Sequence, residues 1–204
     1  RPRMCAGPLS FATEYATRMH PRVLTKELQT PLGPMIAGVR DDPAYPPALC
    51  LLEFTDRPRL AKERDDLAAA VGPVEAVGDF EVSTPATDLL EELEHQLADY
   101  FTQSRTTFDF PLHTPGTDFQ QAVWNHLLTI PPGTTTTYGT IAQTLDRPGA
   151  QRAVGAANGA NRISIVIPCH RVIDSNGNLH GYGGGIARKR ALLELEQANL
   201  FTGV

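Results

Sequence analysis

The segment Pro168-Cys169-His170-Arg171 combines a thiol, an imidazole and a guanidinium within three residues, and it follows the apolar run Ile163-Ser-Ile-Val-Ile167. A β-branched run of this kind predicts a strand buried on both faces. A cysteine at its end, stiffened by proline and flanked by cationic groups, is a candidate nucleophile, because cationic neighbours favour the reactive thiolate. Adjacency alone does not decide this. Neighbouring side chains on an extended segment point apart, and a buried, inert cysteine fits the same four residues.

The elements around this segment divide the chain in two. In the first part, Val23–Leu28, Met35-Ile-Ala37 and the run Leu49–Phe54 read as strands, and Arg59–Val71 as a helix. A stronger helix follows Pro85, where Leu89, Leu90, Leu93, Leu97, Tyr100 and Phe101 recur at three- and four-residue spacing. Phe108–Leu112 is a further strand candidate. The polar stretch His113–Gly116 reads as a linker. Thr117 then caps a helix with an apolar stripe of Phe119, Val123, Trp124, Leu127 and Leu128, ended by Pro131-Pro132-Gly133. Two short helices follow, Tyr138–Leu145 and Ala150–Asn158, with a Pro148-Gly149 break between them. That is the helix-turn-helix pattern, and equally that of an αα-hairpin in a core. The second helix is nearly bare apart from Arg152, which suits close approach to a nucleic-acid groove or tight helix packing. The expected organisation is an arm over 1–20, an amino-terminal domain over 21–112, a linker over 113–116 and a carboxy-terminal domain over 117–204.

The chain has 204 residues, with 41% hydrophobic and 20% charged, which excludes wholesale disorder. Three cysteines are too few for a disulfide scaffold, and no apolar run approaches membrane-spanning length, so a reducing intracellular compartment is expected. The chain opens on Arg1, as a piece of a longer protein would. The net charge of −5 is unevenly spread: from Phe119 onward there are seven Lys+Arg against four acids, and before it 11 against 19. A basic half hints at nucleic-acid contact. His20, His113, Cys5 and Cys50 show no metal-ligand spacing, so no metal site is expected.

Taken together, Arg152-Ala-Val-Gly155, Asn158-Gly-Ala-Asn161, Ile167-Pro-Cys-His-Arg-Val172, Gly181-Tyr-Gly-Gly-Gly185 and Arg188-Lys-Arg-Ala-Leu-Leu193 closely resemble the O6-alkylguanine-DNA alkyltransferases, or methylated-DNA–protein-cysteine methyltransferases. The likeness is dense from Phe119 to Glu196 and weaker before it, where Thr30-Pro-Leu-Gly33 still resembles the family's start. It implies an α/β (α+β) fold: a ribonuclease H-like amino-terminal domain and a mainly helical carboxy-terminal one, with a helix-turn-helix and a short active-site strand. It implies DNA repair by single-turnover transfer of an alkyl group from O6 of guanine, less surely O4 of thymine, to Cys169, after the base is flipped out of double-stranded DNA. No cofactor, no membrane and a monomer are implied, in a bacterial or archaeal cytoplasm or a eukaryotic nucleus.

By the same resemblance His170 is the base that draws the thiol proton through a water, and Glu196, at the end of a helix Ile186–Leu200, orients it. Asn161 is the hinge, Tyr138 meets the lesion's 3′ phosphate and helps protonate guanine, and Arg152 fills the gap left by the flipped base. Ala153, Ala156 and Ala157 line the DNA face, while Val172, Tyr182, Gly183, Gly184 and Ser164 line the pocket. Arg162 stands where the family usually has proline, with DNA phosphate as one possible partner. Ser164 stands where some members carry a pocket proline, which implies a preference for O6-methyl over O6-benzyl adducts. Two alternatives are a lesion-binding module without chemistry, against which Cys169 argues, and the repair half of a larger adaptive-response activator.

Overall fold

Apolar residues at alternating positions build a four-stranded sheet, described here from a computed structural model covering residues 20–78 and 83–197. The strands are β1 (Arg22–Leu28), β2 (Met35–Asp42), β3 (Tyr45–Phe54) and β4 (Val74–Ala76), in the order β3-β2-β1-β4. The first three pair antiparallel and β4 runs parallel to β1. Leu24 and Leu28 face the main core, whereas Val23 faces a smaller cluster with Cys50, Leu51 and Leu67 on the opposite side. That cluster is closed by helix α1 (Leu60–Ala70). The other face is covered by α2 (Pro85–Phe101), whose Leu90, Leu93, Leu97 and Tyr100 lie on one stripe. Thr84 and Thr87 close a capping box at its start.

The carboxy-terminal elements are α3 (Asp118–Leu127), β5 (Thr136–Thr137), α4 (Tyr138–Thr144), α5 (Gln151–Gly159), β6 (Val172–Ile173) and α6 (Ile186–Leu195). Thr117 caps α3 as its position predicts. One apolar core runs through both parts of the chain, from Leu24 to Leu192. Trp124 ties α3 to α5 by donating its indole N–H to the Ala157 carbonyl at 2.9 Å. Thr114 and Gln121 exchange hydrogen bonds, and Arg162 donates to the Pro115 carbonyl at 3.0 Å, so the stretch expected to be a linker is held on both sides.

Several expectations change. Ile163–Ile167 is a buried turn, with only Ile163 bridging to Leu52 of β3. The cause is Asn161, whose Oδ1 accepts from Ile163 N at 2.9 Å and whose Nδ2 donates to the Ile167 carbonyl at 3.0 Å, closing the segment on itself. Ile165 takes φ of 73°, a left-handed conformation rare for a β-branched residue. Phe108–Leu112 contributes one bridge, Leu112 to Leu49. These two bridges cover the outer edge of β3. The arm over 1–20, except His20, lies outside the described residues with Cys5. So does the stretch Ala198–Leu200 assigned to the last helix, which is helical only to Leu195. Among the described residues no helix is long and apolar enough to cross a membrane.

Candidate active site

Pro168 leads into one turn of 3-10 helix, Cys169–Arg171, rather than a strand end, so successive side chains diverge around the turn. Cys169 and His170 are both buried. Burial pushes the Cys169 thiol up to about 11, with a hydrogen bond from Asn161 opposing it, so the flanking cations do not make it a resting thiolate. A base is therefore needed. Asn158 Nδ2 donates to the Cys169 carbonyl at 3.4 Å, and Asn161 closes the preceding turn, so α5 and the reactive turn share one hinge.

His170 Nε2 lies 3.1 Å from Glu196 Oε1. The Glu196 carboxylate also accepts from Arg171 Nε at 2.9 Å, Arg171 Nη2 at 2.7 Å and the Tyr100 hydroxyl at 2.8 Å. Burial works against its charge, yet the hydrogen bonds from His170 and Arg171 win and hold it well below the usual carboxylate range. An ionised carboxylate has no proton to give, so His170 Nε2 carries the hydrogen and Nδ1 keeps its lone pair. Nδ1 is buried and has no partner among the described residues. Burial also lowers the His170 pKa, with Glu196 opposing, which keeps the ring neutral and able to take a proton. Protonating His170 removes that capacity. If it is the base, the reaction rate stays level as pH falls to about 6.5 and declines only below it, which a single-turnover pH profile measures.

Tyr182 is buried, and its ring meets that of His170 edge-on at 6.5 Å. Its hydroxyl has no hydrogen-bond partner among the described residues. Val172 is fully buried, and Gly183 and Gly184 run close over Arg57 and Phe54 of the amino-terminal part. Tyr138, at the start of α4, is half-buried between Gly155 of α5 and Gly181. Ser164 is buried and donates to Glu53 Oε1 at 2.8 Å, so its hydroxyl is committed to the amino-terminal part. On α5, Arg152, Ala153 and Ala156 are exposed, and Arg152 makes no hydrogen bond or ion pair among the described residues. Ala157 is the exception to the expected DNA face. It is 2% exposed and packs inward with Val154 and Asn158.

A model of the "6-O-methylguanine DNA methyltransferase, DNA binding domain" family matches residues 118–198. The methylated-DNA–protein-cysteine methyltransferase of Mycobacterium bovis is 56% identical over 115 residues, covering 56% of this chain and 70% of that protein. This chain belongs to the methylated-DNA–protein-cysteine methyltransferase family. The Mycobacterium leprae member is 50% identical over 120 residues, 59% of this chain and 73% of that protein. The solved structure of Mycobacterium tuberculosis OGT in complex with DNA aligns with a TM-score of 0.64 at 39% identity, over 86% of this chain and 92% of that one. The α+β fold expected from the sequence is the fold of these methyltransferases.

Within this methyltransferase the structure adds residues that sequence reasoning passed over. Tyr100 reaches Glu196 from α2, Arg171 serves Glu196 rather than the thiol, and Arg57 and Glu53 stand behind Ser164. Buried Lys189 donates to the carbonyls of Val172 and His180 at 2.5 and 2.7 Å, pinning the loop between them. The basic excess of the second half is largely internal. Arg162 pairs with Asp66 and the Pro115 carbonyl, Arg171 pairs with Glu196, and Arg188 with Asp56. Arg147, Arg152 and Arg190 are the exposed cations that remain.

Proposed function

We propose that this chain repairs alkylated double-stranded DNA by moving the alkyl group from O6 of guanine onto Sγ of its own Cys169, once per molecule. The observation that carries this reading is the buried Cys169, tied to α5 through Asn158, beside a neutral His170 whose Nε2–H is held by ionised Glu196. O6 lies inside the duplex, so the nucleotide must rotate out to reach a buried thiol. His170 Nδ1 takes the Cys169 proton through a water. The sulfur lone pair then forms the S–C bond as the C–O6 bond breaks, leaving its electron pair on guanine. Guanine accepts one proton, supplied from the Tyr138 side, and leaves neutral. The thiol loses one proton and guanine gains one, so the exchange balances without a cofactor. The thioether has no leaving group and stays on the protein.

Asn161 holds the reactive turn against α5, and Val172, Tyr182, Gly183, Gly184 and Ser164 bound the pocket. Arg152, with Ala153 and Ala156 beside it, enters the duplex in place of the flipped base, and the chain acts as a monomer. Exposed and unpaired, Arg152 stabilises little in the fold, so Arg152→Ala melts like the wild type. It lowers methyl transfer at sub-saturating duplex by about 10- to 100-fold, read in single-turnover assays.

Intact-protein mass after mixing with a stoichiometric O6-methylguanine duplex tests the reading. One methyl gained on Cys169, and none by Cys169→Ala, is the expected result. Tight lesion binding without a mass change would make the chain a lesion binder, and neither binding nor mass change would sink the assignment.

A further inference from the structure

Four groups, two of them more than a hundred residues away along the chain, meet at one guanidinium. Arg57 follows the end of β3 and is buried. Its Nη1 donates to Glu53 Oε1, and its Nη2 donates to the Gly159 carbonyl at 2.9 Å and lies 2.8 Å from Glu63 Oε1. Glu53 in turn accepts from Ser164 in the turn before Cys169. The backbone of Gly183 lies so close that a Cβ there would collide with the Arg57 guanidinium. Gly159 is the last residue of α5, Ser164 belongs to the reactive turn, and Gly183 belongs to the pocket loop.

We propose that Arg57, seated on Glu53, is a positioning residue for alkyl transfer: a clamp from the amino-terminal part that sets the separation of recognition helix, reactive turn and pocket loop. The inference rests on the alkyl-transfer reading above. Two carboxylates around one cation, all buried, make poor stabilisers, because desolvation cancels much of the attraction and an apolar cluster would serve a fold as well. What such a group does supply is geometry. The planar fork reaches several acceptors in fixed directions, which a lysine ammonium at the same place cannot match. Displacement at carbon demands the alkyl group aligned with Sγ to within fractions of an ångström, and that alignment is set by three walls, two of which Arg57 touches directly and the third, the reactive turn, through Glu53 and Ser164. The guanidinium also opposes the rise in the Cys169 thiol, whereas Glu53 adds to it, so the clamp acts on the nucleophile electrostatically as well.

The test uses Arg57→Lys, which keeps the charge and loses the fork, and Gly183→Ala, which pushes a methyl against the guanidinium. Single-turnover methyl transfer at saturating O6-methylguanine duplex is measured beside affinity for undamaged duplex and thermal melting. Arg57→Lys is expected to cut the transfer constant about 10- to 100-fold, with undamaged-duplex affinity within about threefold of wild type. Gly183→Ala alone is expected to cost about tenfold, and to add less than about twofold on top of Arg57→Lys, because both act through one contact. A wild-type transfer constant in Arg57→Lys, or full multiplication of the two losses, overturns the clamp. So does a loss matched by an equal loss of undamaged-duplex binding, since that marks a general folding defect. Should Arg57→Lys fail to fold, Gly183→Ala decides on the same split between transfer and binding. Methyl uptake by the wild-type protein in the same assay separates failure of this inference from failure of the alkyl-transfer reading.

Discussion

Glu196→Gln is expected to slow methyl transfer by about 10³- to 10⁴-fold, the order seen when the carboxylate behind a catalytic histidine becomes an amide. Glu196 receives four hydrogen bonds, from Tyr100, His170 and two nitrogens of Arg171, and a carboxylate can accept all of them. An amide cannot. If its NH2 turns to His170, Nε2 must become the acceptor, and the proton moves to Nδ1, where the thiol proton has to go. If its NH2 turns to Arg171, a buried cation loses its counter-charge, which costs about 3–5 kcal/mol. Tyr100→Phe separates the two effects. It removes one donor and leaves the charge, so it is expected to raise the Glu196 pKa and change transfer by less than about tenfold. Single-turnover rates with thermal melting of both variants check this. Glu196→Gln at the wild-type rate would remove His170 from the reaction.

The residues of the reactive turn were legible because their types are unusual where they stand: Cys169, His170 and Asn161 are polar groups inside apolar surroundings. The helices were legible too, since α2 and α3 carry strong stripes and Thr84 and Thr117 mark their starts. The partners were not. Tyr100 meets Glu196 across 96 residues and Ser164 meets Glu53 across 111, and no local pattern encodes contacts at that separation. Tyr100 reads as one more apolar position on α2, and only its hydroxyl, aimed at the relay, distinguishes it from its neighbours.

Two misreadings have definite causes. The run Ile163–Ile167 has strand composition, but its backbone bonds are taken by Asn161 and by its own turn, and a side chain two residues upstream overrode β propensity. The resemblance puts Ala157 on the DNA face with Ala153 and Ala156, and α5, built of alanine and glycine, gives no apolar contrast to show which side is inward. The buried set Val154, Ala157, Asn158 has ordinary helical spacing. The pairing of charges was hidden for a related reason: Arg162, Arg171 and Arg188 read as free cations in the sequence, whereas in the fold they pair with Asp66, Glu196 and Asp56.

Asn161→Asp should be as damaging as the loss of Glu196, by a different route. Asn161 donates through Nδ2 to the Ile167 carbonyl at 3.0 Å, stands 3.5 Å from that of Ile163, and accepts from Ile163 N at 2.9 Å. Its amide also counters the rise of the Cys169 thiol pKa. Aspartate keeps the shape and replaces the donor with an oxygen. The new oxygen faces two carbonyls and the thiol, so it must either carry a proton or repel all three. The turn that fixes Cys169 relative to α5 then loses its closure, at about 3–5 kcal/mol for a buried charge without a partner. Any anion formed beside Sγ opposes thiolate formation directly. Transfer is therefore expected to fall by about 10³-fold or more, with the thiol pKa, followed by pH-dependent iodoacetamide labelling, moving up from about 11. Asn161→Ala separates charge from closure. It loses the same hydrogen bonds without adding an acid, so it is expected to destabilise the fold yet leave the thiol pKa below that of Asn161→Asp. Equal thiol pKa values in the two variants would show that Asn161 acts on Cys169 through the turn alone.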